Sequence, residues 1–251
     1  MSHIVGYKNR FMQIIGHEEK RKFLIMRTVG NFLVLFALYG VVATFAPIAI
    51  AQIGYYYRSY TGVEYRVEGD LIVRSYEENA SNPIAKLLSN AQPSEQRVSP
   101  ASTDFGIVIP KIGANSNVVA NVDAGNEKEY QDALQIGVAH AAGTAFPGTK
   151  EGNRKIYLFA HSTDNWWNIN RYNAVFFLLK ELEPGDEIDI FYNNRRYVYE
   201  TVETRTVEAD EVQYLVEPSE DDEVLILQTC WPPGTTLKRL LVIAKPIANL
   251  E

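Results

Sequence analysis

Sulfur is scarce in this sequence: among 251 residues there is one cysteine, Cys230. No intrachain disulfide can form, and zinc sites built on two or four thiolates are excluded. A basic domain is missing as well. Six basic residues against two acidic ones give residues 1–28 a balance of +4, so within a total of −7 the remainder carries −11. Nucleic acid requires a cationic face to displace counterions from phosphates, so a nucleic-acid partner is set aside. No internal repeat is visible. With 46% hydrophobic and 22% charged residues, the composition fits neither wholesale disorder nor a multispanning membrane protein. The length suits one core with attachments.

Charge is wholly absent from residues 29–53, VGNFLVLFALYGVVATFAPIAIAQI. At a helical rise of about 1.5 Å per residue this run exceeds the roughly 30 Å of a bilayer's hydrocarbon core, and it is apolar on every side, so a transmembrane anchor is expected there. It is longer than a signal-peptide core, which favours an uncleaved anchor. The basic residues cluster before it, so residues 1–28 are expected in the cytoplasm and the rest outside the cell. Tyr55, Tyr56 and Tyr57 suit an aromatic belt at the outer interface or the start of a strand.

Residues 54–103 read as an extracytoplasmic stalk or linker rich in Glu, Ser, Asn, Gln and Pro, with a short helix near 83–89. From residue 104 to 251 the texture becomes short apolar runs separated by turn chemistry, which predicts a mostly β domain: a closed barrel of seven to eight strands with one or two short helices. FGIVIP (105–110), NVVANV (117–122) and KIYLFA (155–160) read as strands. The spacing in YNAVFFLLKEL (172–182) predicts a helix ended by Pro184-Gly185. EIDIFY (187–192) and RRYVYETVETRTV (195–207) flank Asn193-Asn194, a pair suited to the positive φ angles of a tight hairpin. EVLILQTC (223–230) and RLLVIAKPI (239–247) are buried strands joined by a Pro-Pro-Gly loop.

Three side chains with useful chemistry sit at the ends of these strands. Cys230 closes one strand and faces an irregular loop, a place that holds a nucleophile firmly and leaves it accessible. His161 follows KIYLFA in the same manner, and Arg239 opens the strand after the cysteine loop, hence close to Cys230 in an antiparallel pair. A nucleophilic thiol needs a proton partner and a cation or donors for the oxyanion of acyl transfer, and this trio meets that need. His140 is the rival histidine; it has no predicted strand to hold it and reads as structural or loop-lining. Trp166, Trp167 and Trp231 suit either the walls of a peptide groove or the cap of a barrel.

The residues around these positions resemble the sortase family. Leu227-Gln228-Thr229-Cys230 matches the LxTC of its nucleophile signature, with Ile226 where threonine is usual. Pro232-Pro233-Gly234-Thr235 followed by Arg239 is similar to its Pro-Gly-Thr loop and arginine strand. GVAHAAGTAFPGTKEGNRKIYLFAHS (137–162) is similar to its histidine segment, which puts the catalytic histidine at His161. FGIVIPKIG resembles the opening strand, so the likeness runs in order from 104 to 247. It implies a membrane-anchored cysteine transpeptidase with Cys230, His161 and Arg239 as catalytic residues, and with Thr229 and Trp231 at the oxyanion and substrate site. The implied partners are surface proteins bearing a C-terminal sorting signal, an amine acceptor such as a cell-wall precursor or pilin lysine, and the lipid bilayer. No cofactor is required. The acidic run at 217–223 would suit calcium, which some sortases bind, and equally a solvated charge run. Two other classes remain open from the residues alone: a cysteine hydrolase with the same triad, and a non-catalytic surface binding module.

Overall fold

The computed structural model describes residues 17–61, 65–67, 96–162, 175–219 and 222–247. The chain forms two compact units, residues 1–54 and residues 55–251.

Helix α1 runs His17–Thr61 without a break. Five successive residues, Phe32 to Phe36, are each more than half exposed, so at 100° per residue the apolar surface passes right around the helix. Residues 18–43 within it are long and apolar enough to cross a membrane, judged by length and composition. The three tyrosines continue the helix rather than begin a strand.

In the second unit, eight strands close a barrel in the order β10-β8-β7-β3-β4-β5-β6-β9. They are β3 (Phe105–Ile109), β4 (Ala114–Val122), β5 (Val138–Ala141), β6 (Lys155–Phe159), β7 (Glu187–Tyr192), β8 (Arg195–Glu208), β9 (Val224–Trp231) and β10 (Lys238–Pro246). Helix α2 (Glu127–Ile136) and the one-turn α3 (Gln213–Val216) lie in the connections. Two pairings are parallel, β4 with β5 and β6 with β9. The interior is filled by Ile107, Ile109, Ile156, Leu158, Ile188, Ile190, Leu225 and Leu227, none of which exposes measurable surface. Each contributes roughly 1.5–3 kcal/mol of burial.

The expected stalk supplies two short strands, β1 (Tyr65–Val67) and β2 (Gln96–Val98), paired in parallel. Val67 packs on Val108 and Phe191, on the outside of β3 and β7, with Val98 against the cluster. This is why all five residues of β3 are buried: the barrel interior covers one face and the small sheet the other. The helix expected near 83–89 lies outside the described residues.

The Asn193-Asn194 hairpin forms as expected, with φ of 50° and 60°. The helix expected over 172–182 does not form in its described part: residues 175–178 are turns and only Leu179–Glu181 makes a 3-10 turn. Phe176, Phe177, Leu178 and Leu179 are all buried in succession, and an α-helix at a barrel surface can bury one stripe, not four consecutive residues.

Candidate functional site

The nucleophile strand is fixed on both sides. β9 pairs antiparallel with β10, and the register sets Cys230 opposite Arg239, Thr229 opposite Leu240, and Trp231 opposite Lys238. Directly opposed residues on adjacent strands project to the same face, with Cα atoms about 4.5–5.5 Å apart. On its other edge β9 pairs in parallel with β6, Leu158 with Leu227 and Phe159 with Gln228. The ladder is prolonged by Ala160 N–H donating to the Gln228 carbonyl at 3.1 Å. The buried Thr229 hydroxyl then donates to the Ala160 carbonyl at 3.0 Å. β6 ends at Phe159; His161 follows it by two residues, and Cys230 follows Phe159's partner Gln228 by two residues on β9. The strand end of Cys230 thus has Arg239 opposite on β10 and the exit of β6, which leads to His161, on its other edge.

Alternation along β9 sorts its side chains. Leu225, Leu227 and Thr229 point into the barrel and are buried, whereas Ile226, Gln228 and Cys230 belong to the outer face. Cys230 is a free thiol with partial exposure, which meets the accessibility a nucleophile needs. His161 and Arg239 are likewise partly exposed. The Arg239 Nη1 donates to the carbonyls of Thr236 and Lys238 at 3.0 and 3.1 Å. These bonds engage two of the five guanidinium donors and set the plane of the group. The loop that carries it is tightened by Thr235, whose N–H and hydroxyl both donate to the Pro232 carbonyl, and by Gly234 at φ 80°. Trp231 ends β9 beside this loop, half-buried.

Beneath the trio lies a pair that sequence reasoning passed over. Tyr157 of β6 donates its hydroxyl to Gln228 Oε1 at 2.6 Å. Burial pushes the Tyr157 phenol well above its ordinary range, and the nearby Arg239 charge pulls weakly the other way. Gln228 was legible as the lone amide in the apolar run LILQT. Further down β6, the buried Lys155 amine donates to the carbonyls of Tyr214, at 2.9 Å, and Glu217, tying α3 and its exit to the strand. Burial lowers the Lys155 pKa, with Glu217 acting in the opposite sense.

His140 is corrected in one respect. It does sit in a strand, β5, and is fully buried. Its Nδ1 accepts from the Asn121 N–H at 3.2 Å, which leaves the proton on Nε2, shared with the Ala145 carbonyl at 2.9 Å and the Thr144 hydroxyl at 3.0 Å. It thereby fills the bulge that interrupts the β4–β5 ladder at Asn121, φ 56°. Phe146 and Phe105 flank the ring, with centroids 4.6 and 5.6 Å away. Burial lowers its pKa. A neutral, fully bonded histidine of this kind is structural.

Trp166 and Trp167 lie outside the described residues. Of the acidic run, Asp222 pairs with Lys245 at 3.0 Å and Glu223 accepts from the Tyr199 hydroxyl at 2.5 Å. Among the described residues no group of three or more His, Cys, Asp or Glu side chains is placed to hold a metal ion.

The sortase domain family matches residues 107–247. Sortase D of Bacillus subtilis (strain 168) is 30% identical over 142 residues, which is 55% of this chain and 61% of that protein. The chain therefore spans less than two thirds of that relative's length. Among solved structures, Sortase C1 of GBS Pilus Island 1 aligns with a TM-score of 0.49 at 24% identity, over 59% of this chain and 65% of that one. Sortase A from Corynebacterium diphtheriae, a lid mutant, aligns with a TM-score of 0.47 at 24% identity, over 58% and 70% of the two chains.

Proposed function

The chain belongs to the sortase family, and from that premise we propose that it is a membrane-anchored cysteine transpeptidase acting on a sorting-signal peptide, with Cys230 as nucleophile. The observation that carries the reading is the register of β6, β9 and β10, in which Cys230 has Arg239 directly opposite on one side and the strand leading to His161 on the other.

In the reaction, the Cys230 thiolate attacks a backbone carbonyl of the sorting peptide and a carbon–sulfur bond forms. The resulting oxyanion is stabilised by the Arg239 guanidinium and by backbone donors near Thr229. The tetrahedral species collapses, the carbon–nitrogen bond breaks, and His161 gives its proton to the departing amine. A thioester is left on Cys230. An incoming amine, from a cell-wall precursor or a pilin lysine, attacks the thioester, loses its proton to His161, and releases the thiolate as the new amide forms. Helix α1 would hold the domain at the outer face of the cell membrane, where peptide and acceptor meet. Neither a metal nor an organic cofactor takes part in these steps.

The test is to incubate the protein with a pool of sequence-randomised peptides, with and without a primary amine, and to follow Cys230 by mass. A peptide-sized thioester that the amine converts to a ligated product is the expected result. A thioester released only to free acid would make the protein a cysteine hydrolase. A Cys230 that reacts with iodoacetamide yet never takes up peptide would overturn the enzymatic reading.

A further inference from the structure

Gln228 stands two residues before Cys230 on the same outer face of β9. That separation is about 6.7 Å along a strand, the distance covered by two residues of any extended peptide lying beside it. The side chain is partly exposed. Among the described residues its hydrogen-bond partner is Tyr157, whose hydroxyl donates to Gln228 Oε1. Tyr157 is itself 2% exposed. A phenol that donates selects the oxygen of the carboxamide, and the amide is planar. With Oε1 on the phenol, the two Nε2–H donors of Gln228 are turned away from Tyr157. They occur in a strand whose other outward residue at this level, Ile226, is apolar.

The direction of the peptide follows from the chemistry. Cys230 is at the rim, with the body of β9 on one side and the open loop on the other. The half that forms the thioester has to be retained while the leaving half departs and an amine enters. The floor made by β6 and β9 suits the retained half, and the open rim suits the exchange. We propose that Gln228, set by Tyr157, is a substrate-positioning residue that donates a hydrogen bond to the backbone carbonyl lying two residues to the N-terminal side of the scissile residue. This rests on the acyl-transfer reading given above. The Tyr157 phenol stays protonated throughout the working pH range because burial raises its pKa, so the donor that orients Gln228 persists.

The test uses the full chain and a peptide that forms the thioester in the pool experiment, with Gln228→Leu, Gln228→Glu and Tyr157→Phe compared with wild type. Gln228→Glu keeps an acceptor for Tyr157 but has no N–H, so it separates loss of the donors from loss of packing. Both Gln228 variants are expected to raise KM for the peptide about 3- to 10-fold with kcat held within about twofold, the effect of one neutral hydrogen bond. Tyr157→Phe, which frees the amide to rotate, is expected to raise KM by a smaller factor. The alkylation rate of Cys230 by iodoacetamide is expected to match wild type in all three, whereas the thermal midpoint is expected to fall in Gln228→Leu, which leaves the buried Tyr157 phenol without its acceptor. Variants that acylate with unchanged KM, or Gln228→Glu behaving as wild type while Gln228→Leu does not, would overturn the assignment. A wild-type protein that never forms the thioester would remove the reading on which it rests, and the two failures are told apart by that control.

Discussion

Replacing Thr229 by valine keeps the shape of the side chain and removes one hydroxyl, the group that joins β9 to the Ala160 carbonyl at 3.0 Å. Both ends of that bond are buried: Thr229 is 3% exposed and Ala160 6%. Once the donor is gone, the carbonyl has no water to turn to, and a buried acceptor left unmade costs about 1–3 kcal/mol. For a domain of this size, each kcal/mol lowers the thermal midpoint by about 2–4 °C, so the shift expected is about 2–12 °C. The bond lies between the residue before His161 and the residue before Cys230, so its loss also slackens their alignment. Acylation should fall at least about tenfold, since displacements of about 1 Å at a reacting centre are that costly. Thr229→Ser restores the donor and should recover most of both quantities. The assays are thermal unfolding and single-turnover thioester formation. A valine variant that melts and acylates like wild type would refute the argument, as would a serine variant no better than valine.

Other outcomes follow from the same geometry. Arg239→Ala should lower kcat about 10²- to 10³-fold through loss of oxyanion stabilisation, with the Cys230 alkylation rate much less affected, as measured by comparing peptide turnover with iodoacetamide labelling. Burial lowers the pKa of His140 in the folded state. The unfolded chain therefore takes up a proton first as pH falls through about 6.5, and stability present above that pH is lost below it. Thermal midpoints across pH 8 to 5 should be flat, then fall, and the fall should shrink in His140→Gln. Gly148 has φ 79°, and a Cβ there would lie 2.9 Å from Tyr197 Cε1. Gly148→Ala should therefore destabilise the domain by about 1–3 kcal/mol, read from denaturant midpoints.

Much of the barrel was legible because its strands announce themselves by short apolar runs and its turns by Asn-Asn and Pro-Gly pairs. The candidate site was proposed for a related reason: Cys230, His161 and Arg239 each terminate or begin such a run, and antiparallel geometry alone makes Arg239 a neighbour of Cys230. The parallel pairing of β6 with β9, which sets the strand before His161 beside the strand of Cys230, has no such local signature. Strand β5 escaped notice because VAHA has no alternation, all four residues being buried. Helix α2 buries only Ala133 and Leu134, so its apolar stripe is too thin to read. Its signal lay in the cap, where Asn126 accepts from the Glu129 N–H and Glu129 Oε1 accepts from the Asp123 N–H. The segment 175–182 misled because its leucines and phenylalanines mimic a helical stripe, when in fact every one of Phe176 to Leu179 is enclosed.

Because β6 and β9 lie side by side and run the same way, the chain that leaves one must travel back across the molecule before entering the other. That return passes through the β7–β8 hairpin, whose strands complete the barrel against β3 and β10, while the separation of β6 and β9 is set by the bonds of their own ladder. Length can therefore change in the connections on either side of that hairpin, where new recognition would be grafted, while its strands stay and the ends of β6 and β9 keep their separation.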